Sequence, residues 1–202
     1  MLTEEKSTHI RTITLTGSVV RLEALSEEHV PDLFAAGNDE SIWHYMRYGT
    51  METEGHMLRW VRMLLNAQAR GTDLPFAVIH LKAGRAIGCT RYLEIEPHNR
   101  ALEIGGTWYG MDYQRTAVNT ECKFLLLQHA FESLDMLRVQ FKADLRNLRS
   151  QKALERIGAV REGVLRDHVI LPDGYVRSSV YYSILAREWP GVKAGLLDKL
   201  SS

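Results

Sequence analysis

The amino-acid sequence predicts an α+β fold, a single domain on a mixed, largely antiparallel sheet. Three observations carry that reading. β-rich runs and stretches of helical period alternate along the chain, with no repeat and no linker between them. Several of the β-rich runs meet around short turns, as neighbouring antiparallel strands do. The length, 202 residues with 45% apolar and 25% charged side chains, suits one buried core, so residues 1–202 read as one domain.

The elements follow in order. IRTITLTGSVVRLEAL (10–25) is two β-rich runs around Gly17-Ser18, a candidate hairpin. Ser26 can cap a short helix running to about Ala36. In TEGHMLRWVRMLLNAQAR, residues Met57, Trp60, Val61, Leu64, Leu65 and Gln68 recur at helical spacing. PFAVIHLKAGRAIGCTRYLEIEP reads as two strands about the turn Lys82-Ala83-Gly84-Arg85, and NRALEIGGTWYG as a further strand. A polar loop then leads into a helix whose face is Phe124, Leu127, Phe131 and Leu134. LRVQFKADL is a strand, and NLRSQKALERIG a short helix with Asn147 as cap and Gly158 at its end. Two strands, Ala159–Ile170 and Tyr175–Leu185, flank the turn Pro172-Asp173-Gly174.

Net charge is zero, which argues against a dedicated nucleic-acid or membrane partner. The charge is uneven, though. Residues 1–60 hold 10 Asp/Glu against 5 Lys/Arg, while residues 138–166 hold 8 Lys/Arg against 3 Asp/Glu. The basic segment is a candidate for meeting an anionic ligand, and a solvated face is the alternative. Cys89 and Cys122 lie in no metal-ligand or CxxC spacing and read as small buried hydrophobes in a reducing compartment. His44, His56, His98 and His168 show no metal spacing, so no metal is expected. The first residues, MLTEEKSTHIRTITL, carry no signal-peptide pattern, and no run approaches ~18 apolar residues, so a soluble, cytoplasmic protein is expected.

Over nearly the whole chain, and most specifically from Leu102 to Trp189, the sequence resembles the GNAT acyltransferase superfamily, in particular its RimJ/RimL-like, ribosomal-protein N-acetyltransferase branch. The segments that carry the resemblance are LEIGGTWYG, NTECKFLLLQHAFE, PDGYVRSSVYYSIL and, most specific, RNLRSQKALERIGAVREG. The last is similar to the branch pattern Asn-x-x-Ser-x-x-Ala-Leu-Glu-(Lys/Arg)-hydrophobic-Gly. The resemblance implies helices on both faces of the sheet and acetyl-CoA as co-substrate of acetyl transfer to an amine. In this branch the amine is expected to be a protein N-terminus, with a ribosomal protein as partner. A small-molecule amine, or a degenerate non-catalytic relative working through protein contacts, are the alternatives. Whether the chain acts as a homodimer is not written in the sequence.

The resemblance places the CoA pyrophosphate on the loop Gln114, Arg115, Thr116, Ala117, Val118, Asn119 and Thr120, where both usual glycines are replaced. Physics does not demand glycine there. The binding groups are unpaired backbone N–H donors at a helix N-terminus, where the helix dipole also favours an anion. Ala117 is acceptable at negative φ. Asn119 tolerates positive φ and can cap the helix. Arg115 adds a cation, and Arg149, Lys152 and Arg156 are candidates for the CoA 3′-phosphate.

Attack on a thioester needs a neutral amine, so a group must take its proton. In this superfamily a carboxylate on the strand that carries LEIGGTWYG often does so, which points to Glu103. Flanked by Leu102 and Ile104, it faces opposite to them. The usual thiol-facing tyrosine falls at Leu154, and Ser150 at the helix start matches the serine that replaces it in RimL-like proteins. Asn147 is a cap, a pantetheine partner, or both. Thr107, Trp108 and Tyr109 end the strand whose backbone is expected to pair with pantetheine. The aromatic stretch SIWHYMRYG (41–49) offers Trp43 and Tyr45 as one wall of the acceptor site, with plain packing as the alternative.

Overall fold

The computed structural model describes residues 11–201. One sheet is formed by β1 (Leu15–Thr16), β2 (Val20–Ala24), β3 (Leu74–His80), β4 (Arg85–Glu96), β5 (Ala101–Tyr109), β6 (Arg138–Asp144), β7 (Val160–Ile170) and β8 (Val176–Leu185). Their spatial order is β1-β2-β3-β4-β5-β6-β8-β7. Among the described strands, every neighbouring pair is antiparallel except β5 with β6, which run parallel. The expected mixed, largely antiparallel sheet is therefore present. The first predicted run is much shorter than its sequence suggests, and Ile10 and the N-terminal stretch before it lie outside the described residues.

Strand alternation builds two cores. Phe76 and Val78 point to one face, Ala77 and Ile79 to the other, because successive side chains of a strand leave on opposite sides. Helices α1 (Val30–Ala36) and α2 (Glu54–Ala69) cover the second face with Leu33, Met57, Trp60 and Leu64. Helices α3 (Ala117–Gln128), α4 (Leu148–Arg156) and α5 (Trp189–Ser201) supply the first face with Cys122, Leu126, Leu154 and Leu196. Both cysteines are free and buried, and burial pushes both thiols up to about 12. No helix among the described residues is long and apolar enough to cross a membrane.

Local chemistry explains the helix starts. Thr53 accepts from the His56 N–H at 3.1 Å, and Asn147 accepts from the Ser150 N–H at 3.0 Å. The Ser26 helix begins differently from the sequence expectation. A 3₁₀ turn, Glu27–His29, precedes α1, and the Ser26 N–H donates to His29 Nδ1 at 3.1 Å. The apolar face expected to reach Leu134 does so because a π turn, His129–Ser133, continues α3. Helix α5 has no counterpart in the sequence reading, since Pro190, Gly191 and Gly195 mask its period.

One carboxylate fastens the β1–β2 hairpin to α3. Glu121 accepts from the Ser18, Val19 and Val20 N–H groups and from Ser18 Oγ, all at 2.7–2.8 Å. Gly17 permits this approach, because a Cβ there would lie 2.3 Å from the Glu121 carboxyl carbon.

Candidate active site

Strands β5 and β6 pair only over Ala101–Glu103 against Arg138–Gln140 and then part. Beyond Glu103 the β5 edge has no neighbouring strand on that side among the described residues, and at its end the Tyr109 carbonyl accepts instead from Gln114 Nε2 at 3.1 Å. A β-bulge adds to the opening. Three residues of β4, Cys89 to Arg91, face four of β5, Gly105 to Trp108. Gly106 sits in the bulge at φ +58, where an added Cβ would come within 3.0 Å of Arg91 Nε. The result is a cavity of about 700 Å³ between β5, β6, α3 and α4. Thr107, Trp108 and Tyr109 line it.

The glycine-free loop stands at one side of this cavity. Gln114, Arg115, Thr116 and Asn119 line it; Ala117, Val118 and Thr120 do not. The backbone departs from the expectation for Asn119. Positive φ falls on Arg115, at +62, and Thr116 is the N-cap, its hydroxyl accepting from the Val118 N–H at 3.3 Å. Asn119 lies inside α3, with its Oδ1 accepting from the Tyr109 hydroxyl at 3.3 Å. Ala117 is the first helical residue, so its φ is negative and its N–H has no intrahelical acceptor. Helix α4 holds the loop in place. Arg149 donates to Gln114 Oε1 at 2.7 Å, and Arg156 donates to Thr120 Oγ1 at 2.9 Å. Lys152, Asn147 and Ser150 line the same wall, and Ser150 is also the residue whose N–H Asn147 caps.

Glu103 stands where the strands part, 3% exposed, on the face opposite Leu102 and Ile104. Lys142 contacts it at 3.0 Å and Gln140 Nε2 donates to it at 3.1 Å. Burial outweighs Lys142, and the carboxyl pKa rises above its ordinary value. Lys142 also contacts Glu94 at 2.6 Å. Burial disfavours its charge, but the two carboxylates raise its pKa on balance.

On this face the wall carries Tyr45, Met46, Arg47, Tyr48 and Arg177. Trp43 is elsewhere. It is 2% exposed in a cluster with Trp60 and Trp108, and its Nε1 donates to the Gly37 carbonyl at 2.7 Å. The packing alternative is what the geometry shows for Trp43, because a large ring beside two others is drawn into the α1–α2 core.

Sequence reasoning passed over Lys123, Asp144 and Arg177. Lys123, 5% exposed, lines the cavity from α3, and its Nζ donates to Thr107 Oγ1 at 2.8 Å. Asp144, 2% exposed, accepts from Arg146 and lies 4.0 Å from Arg177. The signal for Lys123 was a lysine inside the apolar run CKFLLL, on a helix buried on most sides.

Comparison with known proteins decides what the cavity belongs to. Residues 20–160 match the family model described as an acetyltransferase (GNAT) domain. The chain belongs to the GNAT acetyltransferase family. The Bacillus subtilis (strain 168) protein YdaF, provisionally named a ribosomal N-acetyltransferase, is 34% identical over 110 residues. That match spans 54% of this chain and 59% of YdaF. The ribosomal-protein-serine acetyltransferase of Escherichia coli (strain K12) is 25% identical over 169 residues, 82% of this chain and 93% of that protein. A crystal structure of a provisionally named acetyltransferase from T. thermophilus superposes with TM-score 0.84 at 40% identity. The match covers 93% of this chain and 96% of that one. These relatives support the RimJ/RimL-like branch within the GNAT family.

GNAT acetyltransferases use acetyl-CoA as co-substrate. The residues here fit such a molecule. The unpaired β5 edge suits an amide-bearing arm, the α3 N-terminus suits a phosphate, and Arg115, Arg149 and Lys152 surround that end with positive charge.

Proposed function

We propose that this chain transfers the acetyl group of acetyl-CoA to the α-amino group of a protein N-terminus of ribosomal-protein type, in the cytoplasm. The observation that carries the reading is the gap between β5 and β6. It has a buried carboxylate where the strands part and a phosphate-suited loop and basic helix at one side. The names of the relatives supply the acceptor class.

Acetyl-CoA brings the acetyl group as an activated thioester. The chain's own residues do the rest. First-turn N–H groups of α3, with Arg115, hold the pyrophosphate, and Arg149, Lys152 and Arg156 face the 3′-phosphate. The open edge of Thr107–Tyr109 pairs with the pantetheine amides, with Asn147 on the facing wall. Glu103 takes the proton of the attacking amine, its raised pKa suiting a base that works near neutrality. Ser150, at the start of α4, hydrogen-bonds toward the departing sulfur. Tyr45 forms part of the wall beside the incoming N-terminus.

Binding comes first in the test. A ligand at ~100 times its Kd adds about 2.7 kcal/mol of stability, so acetyl-CoA should raise Tm clearly. No rise at millimolar acetyl-CoA would leave the chain a non-catalytic relative. Purified protein is then offered peptides with free N-termini and a set of small amines. Acetylation of peptides supports the reading, whereas exclusive acetylation of a small amine moves the acceptor to that class.

A further inference from the structure

Lys123 has no role in the scheme above, yet it is the most unusual ionisable group bordering the gap. It is 5% exposed, and the partner of its Nζ is a hydroxyl. That Nζ is fixed from two sides. Thr107 Oγ1, just beyond the Gly106 bulge on β5, accepts its proton at 2.8 Å. The Phe141 ring of β6 faces it at 5.9 Å from the centroid. The ammonium group therefore bridges the two diverging strands. Thr107 is oriented in turn by Thr90, whose Oγ1 lies at 2.8 Å.

The face matters as much as the place. Leu102 and Ile104 pack in the core that holds α3, so Lys123 approaches the gap from the α3 side, which also carries the loop and α4. Glu103 approaches from the opposite side, with Lys142, Glu94 and the Tyr45 wall. An amine deprotonated by Glu103 and a thiolate leaving toward the α3 side would pass on opposite faces of the same opening.

We propose that Lys123 is the proton donor to the departing CoA sulfur, so that base and acid flank the gap from its two faces. The inference rests on the acetyl-transfer reading. In the step, the amine nitrogen bonds to the acetyl carbon and the C–S bond breaks, its electron pair staying on sulfur. A proton passes from the Lys123 ammonium to that sulfur, giving neutral thiol and neutral amine. Glu103 holds the proton lost by the acceptor, and both groups re-equilibrate with solvent before the next turnover. The nearby groups suit this. Burial holds the amine down to about 8, with Cys122 on its own helix and Glu103 on β5 favouring its charge weakly. A thiol titrates near ~8.5, so the transfer is close to balanced in energy. Phe141 on β6 carries no charge, and Arg156 of α4 is engaged one turn earlier with Thr120. Leu154 is buried at the position where the resemblance puts the usual tyrosine, and it offers no proton of its own. The Ser150 hydroxyl can hydrogen-bond the sulfur, but an alkoxide is far too basic to be left behind by proton transfer to a thiolate.

The test uses the intact protein with CoA itself, whose thiolate is followed by its ultraviolet absorbance. Beside a lysine ammonium, the bound thiol should titrate about one unit below free CoA, as a nearby opposite charge produces. Lys123→Met should return it to the free value. Lys123→Arg should keep the shift but lose the proton transfer, because a guanidinium does not deprotonate. Both variants should lower kcat by about 10²-fold with little change in KM for acetyl-CoA. The high-pH fall in wild-type kcat should vanish in the Met variant. An unshifted thiol in the wild type overturns the proposal whatever the variants do. So does an Arg variant that turns over normally. A wild type that binds no CoA, or acetylates no amine, overturns the underlying reading instead.

Discussion

Glu103 and Lys123 show at the residue scale how burial sets chemistry. Both are nearly inaccessible, and desolvation pushes each toward its neutral form, the carboxyl upward and the amine downward. For Glu103 the consequence is kinetic. A base works only when unprotonated, so the wild-type rate should fall as pH drops through its raised pKa. Glu103→Gln should lower kcat by about 10²–10⁴ and flatten that limb, while acetyl-CoA affinity stays nearly intact. An unchanged rate and pH profile would assign proton removal to water or another group. For Lys123 the consequence is also thermodynamic. Its folded pKa lies below the free value of 10.5, so folding disfavours the charged form. The penalty, about 3 kcal/mol, is present below about pH 8 and fades as pH rises toward the free value. Lys123→Met should therefore melt higher than wild type at neutral pH and lose that advantage in strong base. Thermal melts across pH measure this directly, and a lower-melting variant at neutral pH would contradict it.

Helix α3 is the element on which the cofactor expectation turns. Its first turn points N–H groups outward, and the replaced glycines do not obstruct them because the left-handed residue is Arg115, before the helix begins. Ala117 is exposed at the first helical position. Ala117→Asp puts a carboxylate where the dipole welcomes it, so the helix should be no less stable. The same carboxylate repels a pyrophosphate and competes for its donors. Affinity for CoA should drop about tenfold or more, a loss of at least ~1.4 kcal/mol, with Tm unchanged or slightly raised. Calorimetric titration beside a melt checks both halves. Equal affinity would move the phosphate site away from this helix.

Across the whole molecule, the stabilising and the functional carboxylates behave with opposite sign. At Glu121 burial would raise the pKa, but hydrogen bonds from Ser18, Val20 and Val19 win and hold it below its ordinary value. Asp144 is held low in the same way, its burial outweighed by Arg146. Both contribute stability that is present above the unfolded carboxylate range and lost as pH falls through their lowered values. Glu103, with its raised pKa, works against the fold when charged, as groups kept for function often do. Glu121→Gln should cost about 2–4 kcal/mol at neutral pH, since it leaves buried N–H groups poorly matched. It should also blunt the acid sensitivity of unfolding. Urea denaturation at neutral and acid pH tests the pair of effects, and an unaltered pH slope would place the acid sensitivity elsewhere.

The order of elements needed only the sequence. Period-two runs with turn residues, the helical spacing of apolar side chains and the cap Asn147 act through neighbours a few residues away, so most strands and helices α2, α3 and α4 were legible. The placement of Glu103 opposite Leu102 and Ile104 was legible for the same reason, since alternation is local. Where a side chain's fate depended on distant partners, the sequence was silent or misleading. Trp43 went to the core because Trp60 and Trp108 met it there. The hairpin strand β1 was cut to two residues beside Glu121, which lies more than 100 positions along the chain from Ser18, Val19 and Val20. A lysine on an ordinary amphipathic helix belongs in water. Lys123 became a buried, weakened base only because the sheet and α5 pack against α3 and turn that side chain toward the gap between β5 and β6.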